Sequence, residues 1–369
     1  MTKTLKIIVT IVLVLVWLFV ATLFYKTICV MLIVSVWRKD IAARIPTQWR
    51  KWGMRGVWAV LVIVLWIGMP RYRINSGDRV RLLYLDEEGE AVHPSLVQYL
   101  FDTILPEEEI VNFTLKTLPI TGSILHQTAH LGNRFIKDAE KEIFDGKMHN
   151  FLDPYDDLGL DNPISACYPQ TFNAMLGTNY KAVYICNPKH YDDANTYPLI
   201  VFCHGFLGNW QLYQGIWKDF DNAIVLSIGT RGMDGFFNEG HINEIFSFYI
   251  PMLERQGYNI DHRQIHLMGL SNGGSAISAA MHSPHAKDFK SITTISCNLD
   301  GLRKVPCQVN FIGGGKDGSA AIEPAQCRQL RRMGVDADIF FDDDENHFIM
   351  VNRRADMMKF LKRRMNLSF

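Results

Sequence analysis

From about residue 178 onward, short apolar runs alternate with segments of helical spacing, and this pattern constrains the fold more than any other feature. The runs that read as strands are "KAVYIC", "YPLIVFC", "NAIVLSI", "QIHLMG", "FKSITTISC", "QVNFIGG" and "ADIFFD". Helical segments such as "EIFSFYIPMLERQGY" and "EPAQCRQLRRMG" separate them. Consecutive parallel strands need a crossover connection, which is usually a helix. The sequence therefore predicts an α/β fold with a mostly parallel sheet that helices cover on both faces.

The segment "GLSNGG" (residues 269–274) follows one predicted strand and precedes a predicted helix rich in small residues. It fits the pattern G-x-S-x-G, in which a sharp strand-to-helix turn exposes the serine hydroxyl above the sheet. Gly269 and Gly273 leave room for the turn. The new helix directs its N-terminus at an anion that forms there. This context predicts that Ser271 is a nucleophile.

The run "HGF" ends the strand "LIVFC", at the position expected for a loop that binds an oxyanion. A tetrahedral intermediate needs two fixed N–H donors. The prediction is that the backbone N–H groups of Phe206 and Asn272 supply them. His204 precedes the nucleophile in the chain, which is the wrong order for the base of this fold, so it is predicted to hold the loop in place.

Two further residues complete a candidate triad. Asp317 follows the strand "QVNFI", and His347 follows the last strand, so Ser271, Asp317 and His347 occur in the order serine, acid, histidine. Asp300, which follows the preceding strand, is the alternative acid. The acidic run 342–345 lacks the spacing of a calcium loop and is read as a solvated loop. No metal ion or cofactor is expected.

These motifs, HGF, GLSNGG, GKD and NHF, resemble those of the α/β-hydrolase superfamily, over residues 178–369. They are similar to esterases of the dienelactone-hydrolase, feruloyl-esterase and polyhydroxybutyrate-depolymerase type. The resemblance implies the α/β-hydrolase fold and a serine triad, but no particular substrate. The expected function is cleavage of a small-molecule or lipid-like carboxylic ester through an acyl-enzyme on Ser271. Thioesterase, peptidase or acyltransferase activity uses the same triad, and a non-catalytic, membrane-tethered binding protein is the remaining alternative.

The N-terminus contains two apolar segments. Residues 7–25 are uncharged and mostly apolar, close to the length that crosses a bilayer, and they lack the cleavage site of a signal peptide. Residues 56–70 form a second, shorter segment that is either a span or a buried or interfacial helix. The prediction is an integral membrane protein in which a two-helix hairpin (residues 1–73) contacts lipid through residues 7–37 and 56–70. The basic stretch 38–55 then favours, slightly, an extracytoplasmic catalytic domain.

The connector (residues 74–160) lies between this anchor and the predicted catalytic domain (residues 161–369). Its apolar patches predict burial rather than disorder. It is predicted to dock on the hydrolase domain either as a lid that restricts the entrance or as a stabilising collar. Lysine plus arginine and aspartate plus glutamate are balanced at 38 each, which gives no reason to expect nucleic acid as a partner.

Overall fold

The computed structural model describes residues 1–20, 23–68, 79–92, 107–128, 133–158 and 180–367. Two predicted segments lie outside these ranges. They are residues 93–105 of the connector, whose apolar spacing in the sequence predicts a helix, and the first part, 161–179, of the predicted catalytic domain.

A single sheet of nine strands forms the centre of the described chain. The strands are β1 (Val80–Leu85), β2 (Ala91–Val92), β3 (Lys181–Cys186), β4 (Tyr197–Cys203), β5 (Ile224–Ile228), β6 (Ile260–Leu270), β7 (Ser291–Ile295), β8 (Gln308–Gly314) and β9 (Ala337–Asp342). Their order across the sheet is β2-β1-β3-β5-β4-β6-β7-β8-β9. Every pairing from β5 to β9 is parallel, whereas β3 runs antiparallel to both of its neighbours. The predicted α/β fold with a mostly parallel sheet is confirmed.

The described helices lie before, between and after the strands. They are α1 (Lys3–Phe19), α2 (Leu23–Arg44), α3 (Arg50–Gly68), α4 (Glu107–Thr128), α5 (Asn133–Phe144), α6 (His149–Leu158), α7 (Gln211–Trp217), α8 (Glu239–Glu244), α9 (Ile250–Arg255), α10 (Gly274–His282), α11 (Glu323–Arg332), α12 (Ile349–Asn352) and α13 (Arg354–Met365). A π-helical turn (Ile245–Tyr249) joins α8 to α9, so the predicted helix "EIFSFYIPMLERQGY" is not a regular α-helix throughout.

Both faces of the sheet are buried, and β4 shows why. Leu199 and Val201 pack into one apolar core, while Ile200 and Phe202 pack into the other. Successive side chains of a strand point to opposite faces, so a strand with apolar residues at every position must be covered on both sides. The helices supply that cover. Because the strands from β5 to β9 are parallel, their carboxyl ends lie at one edge of the sheet.

The connector contributes to the sheet, which the sequence reading did not predict. All six residues of β1 pair with β3, from Val80 opposite Cys186 to Leu85 opposite Lys181. Tyr84 and Leu85 are buried. The central sheet therefore includes at least one strand that lies N-terminal to residue 161.

The predicted two-helix hairpin is replaced by three helices. The apolar run 7–25 is divided, because α1 ends at Phe19, where Val20 adopts an extended conformation, and α2 begins at Leu23. Within the ranges described, no helix combines the length and apolar character needed to cross a bilayer. α2 packs against α1 through a hydrogen bond from Trp37 Nε1 to Thr10 Oγ1 (2.7 Å) and an ion pair between Lys6 and Asp40.

Candidate active site

Ser271 occupies a strained turn between β6 and α10. Its φ is 52°, in the left-handed region that residues with a side chain rarely adopt. A Cβ atom at Gly269 would lie 2.2 Å from the carbonyl oxygen of Gly273, and one at Gly273 would lie 2.2 Å from the carbonyl oxygen of Cys203. Both glycines of the motif are therefore required by close backbone packing. The turn is the one that the sequence predicts.

The side chains of Ser271, His347 and Asp317 form a continuous hydrogen-bonded chain. Ser271 Oγ lies 3.0 Å from His347 Nε2, and His347 Nδ1 lies 2.9 Å from Asp317 Oδ2. In the arrangement that this geometry allows, the Nδ1–H donates to the carboxylate while Nε2 accepts the serine proton. The structure therefore brings together the three residues that were predicted from their order in the chain.

The acid and the histidine meet because β8 and β9 are parallel neighbours. Asp317 lies in the turn after β8 and His347 in the loop after β9. The two loops also pack closely: a Cβ atom at Gly314 would lie 2.3 Å from the carbonyl oxygen of Glu345, and Lys316 N donates to that oxygen at 2.9 Å. The Asp317 side chain is only 3% exposed, whereas that of His347 is 12% exposed. Asp317 is therefore shielded from water, whereas His347 lies at the boundary with solvent.

Asp300, the alternative acid, is exposed on the surface. Its backbone N–H donates to Ser278 Oγ at 3.0 Å, which directs this turn toward α10. Within the described residues, the carboxylate in hydrogen-bonding distance of His347 is that of Asp317.

The predicted oxyanion loop lies directly beside the nucleophile. β4 and β6 pair in parallel with Cys203 opposite Gly269, so the turns that follow them are adjacent. A Cβ atom at Gly205 would lie 3.0 Å from Ser271 Cβ. Phe206 and Asn272 thus belong to two turns in contact. That their N–H groups bind the oxyanion stays a prediction.

His204 has the structural role that the sequence suggests. Its ring is fully buried, with Nδ1 2.6 Å from the carbonyl oxygen of Gly205 and Nε2 accepting from Thr230 N at 3.3 Å. Burial lowers the pKa of His204 to about 4, so the ring is neutral at pH 7. A neutral ring can donate through Nδ1 and accept through Nε2, and so it links the loop after β4 to the loop after β5.

The loop after β5 forms another border of the site. Gly235, with φ of 71°, packs so closely that a Cβ atom there would lie 2.5 Å from the carbonyl oxygen of Gly205. Asn272 Nδ2 donates to the carbonyl oxygen of Asp234 at 2.8 Å. Phe206 and Phe236, from two bordering loops, are 43% and 59% exposed. Together these loops present two uncovered aromatic rings near the nucleophile.

Cys297 also lies beside the nucleophile turn, since a Cβ atom at Gly274 would be 2.4 Å from its Sγ. Burial raises the pKa of the Cys297 thiol to about 12. Only a thiolate is a strong nucleophile, so Cys297 does not compete with Ser271.

Two buried residues of the connector contact elements next to the site, and sequence reasoning missed both: Glu107 contacts the first turn of α7, and Glu142 contacts the loop that carries His347. Glu142 is separated from its partners Asn346 and Asn352, which lie on either side of His347 in the chain, by more than 200 residues. No local pattern marks such a contact. A glutamate within a helix ordinarily faces solvent.

The strand order and the hydrogen-bonded chain of serine, histidine and aspartate match the arrangement expected of an α/β-hydrolase with a serine triad.

Comparisons with protein-family models and with curated proteins give no match. Among solved structures, the chain is similar to an acylaminoacyl peptidase from Pyrococcus horikoshii (15% identity over 50% of this chain and 40% of that one, TM-score 0.39). It is also similar to dipeptidyl peptidase 4 from Porphyromonas gingivalis (15% identity over 51% and 34%, TM-score 0.39). A third is the feruloyl esterase module from Clostridium thermocellum (14% identity over 48% and 80%, TM-score 0.41). The chain spans well under half the length of the two peptidases.

Proposed function

We propose that the chain is a hydrolase that cleaves a carboxylic ester through an acyl-enzyme on Ser271. The observation that carries the proposal is the hydrogen-bonded chain from Ser271 through His347 to Asp317, with the serine held at positive φ at the end of β6. A buried carboxylate, a histidine and a strained serine at these distances match what nucleophilic acyl transfer requires.

In the proposed reaction, His347 Nε2 takes the proton of Ser271 as the hydroxyl oxygen attacks the carbonyl carbon. The N–H groups of Phe206 and Asn272 receive the negative charge that develops on the carbonyl oxygen. His347 then gives its proton to the leaving alcohol, and an acyl-enzyme remains. Water, activated by the same histidine, releases the acid. Asp317 holds the imidazole in the required tautomer and stabilises its charged form.

The side chains that border the site support an apolar acyl group. Phe206 and Phe236 expose their rings on the two loops next to the nucleophile turn. Binding of an apolar ligand against these exposed rings is favourable, because it removes apolar surface of both the rings and the ligand from water. The proposed substrate class is therefore a small or lipid-like ester with a hydrocarbon acyl chain.

The second part of the proposal is attachment to a membrane through the N-terminal helices. Large apolar side chains cover the outer faces of α1 and α3 and are exposed, among them Ile11, Leu18, Ile63 and Trp66. Exposing this many large apolar side chains to water is unfavourable. The basic residues of segment 38–55 lie next to it in the chain, and cations beside an apolar helix suit an interface with anionic lipid headgroups.

The test of the hydrolase proposal is labelling with a fluorophosphonate probe, followed by a panel of aryl esters of increasing acyl length with a matched amide and thioester. Ser271→Ala is expected to abolish labelling and to lower turnover on the order of a million-fold, because no other group at the site can form the acyl-enzyme. Ser278→Ala is the matched control and should label like the wild type, because the Ser278 hydroxyl accepts a hydrogen bond from Asp300 N and is no part of the hydrogen-bonded chain at Ser271. An unlabelled wild-type protein, or equal turnover in the Ser271→Ala variant, would refute the assignment. Faster cleavage of the amide than of the ester would instead indicate a peptidase, and faster cleavage of the thioester would indicate a thioesterase.

A further inference from the structure

Glu142, on α5, is a carboxyl group buried at 1% exposure and surrounded by hydrogen-bond donors. Asn346 Nδ2 donates to its Oε1 at 2.6 Å, and Asn352 Nδ2 donates to its Oε2 at 2.9 Å. Lys147 Nζ lies 3.7 Å from the same Oε2. Burying a carboxyl group is costly unless such partners compensate for the loss of water. A buried carboxyl group is nevertheless present at this position, and both of the amides that donate to it belong to the segment that carries His347.

The contacts of α5 and α6 hold both sides of the histidine. Asn346 immediately precedes His347, and its Oδ1 accepts from Phe348 N at 2.9 Å. The ring of Phe348 packs edge-on against Phe151 of α6, with 4.9 Å between ring centroids. His347 thus lies between two residues that the connector fixes.

A second buried glutamate of the connector reaches the other side of the site. Glu107, at the start of α4, is 2% exposed. Its Oε1 accepts from Tyr155 Oη at 2.8 Å and from Leu212 N at 3.2 Å. Leu212 lies in the first turn of α7, the helix that directly follows the predicted oxyanion loop. The carboxyl group therefore satisfies a backbone donor that the helix leaves unpaired, and it ties that helix to α4 and α6.

We propose that the connector completes the active site, with Glu142 as a positioning residue for His347 and Glu107 as a positioning residue for the oxyanion loop. Neither glutamate touches the reacting atoms. The inference rests on the proposed hydrolase function, and it extends that function to a segment outside the motifs that identify the fold.

The physical reason is the precision that the reaction needs. A displacement of about 1 Å in a reacting group can lower the rate about 100-fold. In Glu142→Gln one carboxyl oxygen becomes an NH₂ group, which then faces the amide donor of Asn352 and the Lys147 ammonium. The donors repel, and the loop that carries His347 loses its fixed position while the volume of the side chain is kept.

The test uses the full chain and measures kcat and KM with an activated ester, with unfolding monitored in parallel. Glu142→Gln is expected to lower kcat about 10- to 100-fold and to leave KM within about twofold, because the bordering apolar surface that binds the acyl chain is unchanged. Asp145→Asn is the matched control: Asp145 directly follows α5, and its carboxylate is exposed and pairs with Lys141 of that helix, so kcat should stay at the wild-type value.

A milder variant guards against a Glu142→Gln protein that does not fold. Asn352→Ala removes one of the two amide contacts and should give a smaller fall in kcat. Tyr155→Phe keeps the ring, removes one donor to Glu107 and should also lower kcat rather than raise KM. Wild-type kcat in the folded Glu142→Gln and Asn352→Ala variants would overturn the proposal, as would an equal loss in Asp145→Asn. The kcat of Ser271→Ala is measured alongside. If it equals the wild-type kcat, the proposed hydrolase function itself is refuted. If it is far below the wild-type kcat, the hydrolase function stands, and the glutamate variants then test the positioning roles alone.

Discussion

At the scale of single residues, Ser271 combines strain with chemistry. A non-glycine residue at φ of 52° carries a cost of about 1–3 kcal/mol, which the surrounding structure must offset. Here the offset comes from close backbone packing, because the carbonyl groups of Gly273 and Cys203 occupy the space next to Gly269 and Gly273. The strained conformation places the Ser271 hydroxyl beyond the end of the strand and within hydrogen-bonding distance of His347.

The first residue-scale prediction separates the two candidate acids. Asp317→Asn should lower kcat about 10⁴-fold, because an amide in this position favours the wrong tautomer of His347. Asp300→Asn should leave kcat within about twofold of the wild type, since Asp300 is exposed and faces α10. Steady-state rates of both variants with one ester provide the measurement. A larger loss in Asp300→Asn would transfer the role of the acid.

The second residue-scale prediction concerns stability in acid. Burial lowers the pKa of His204 to about 4 and that of His266 to about 3, whereas an unfolded histidine has a pKa of about 6.5. Between pH 6.5 and 4 the unfolded chain binds protons that the folded chain excludes. The free energy of unfolding is therefore complete above pH 6.5 and falls as the pH drops toward 4, by about 3 kcal/mol for His204 alone.

Urea unfolding at pH 7, 6 and 5 measures this effect, and His266→Gln is the informative comparison. Burial raises the pKa of Glu323, whose contribution changes in the opposite sense because stability grows as the pH falls toward 4.5. Comparing variants cancels that contribution. The free energy of unfolding of His266→Gln should depend less steeply on pH than that of the wild type. Equal slopes would show that His266 binds a proton in the folded state.

At the scale of elements, the predictable parts are those that local pattern determines. The strand β6, the turn at Ser271 and helix α10 follow from apolar spacing and glycine placement, and the order of acid and histidine follows from the strands before them. β1 was missed because its sequence, "VRLLYL", lies in a charged and irregular stretch and obtains its strand partner about a hundred residues later. The end of α1 at Phe19 was missed because the apolar run itself continues.

The element-scale prediction concerns the connector. A fragment that begins at residue 160 is expected to aggregate, because it loses β1 and the buried side chains Val80, Tyr84, Leu85, Phe151 and Tyr155. At about 2 kcal/mol for each buried side chain, the loss is roughly 10 kcal/mol, comparable to the whole stability of a domain. This outcome corresponds to a collar. A monodisperse fragment with higher activity on bulky esters would instead support a lid.

A fragment that begins at residue 79 is the matched control for this truncation. It retains β1, α4, α5 and α6 and removes only the three N-terminal helices. Gel filtration should show a monodisperse species. Thermal unfolding should give the same Tm as that of the intact chain in detergent. Aggregation of both fragments would mean that the N-terminal helices, rather than the connector, support the fold.

At the scale of the whole molecule, the prediction is that the intact chain remains with the membrane after a carbonate wash, while the fragment that begins at residue 79 is released. The exposed apolar faces of α1 and α3 supply the attraction. Vesicle flotation with and without anionic lipid provides the measurement, with stronger binding expected to the anionic vesicles. If the detergent-free intact chain is a stable dimer that does not float, a second copy covers this surface instead.

The short distance along the chain between α3 and β1 has a kinetic consequence under the membrane proposal. Only residues 69–78 separate Gly68 from Arg79, and the fully extended backbone between them reaches at most about 40 Å. Because β1 is an integral strand of the sheet, the enzyme cannot diffuse further than this from the bilayer. Its encounters with an ester dissolved in the same leaflet then become two-dimensional, and the density of substrate in the lipid, rather than its concentration in water, sets the rate.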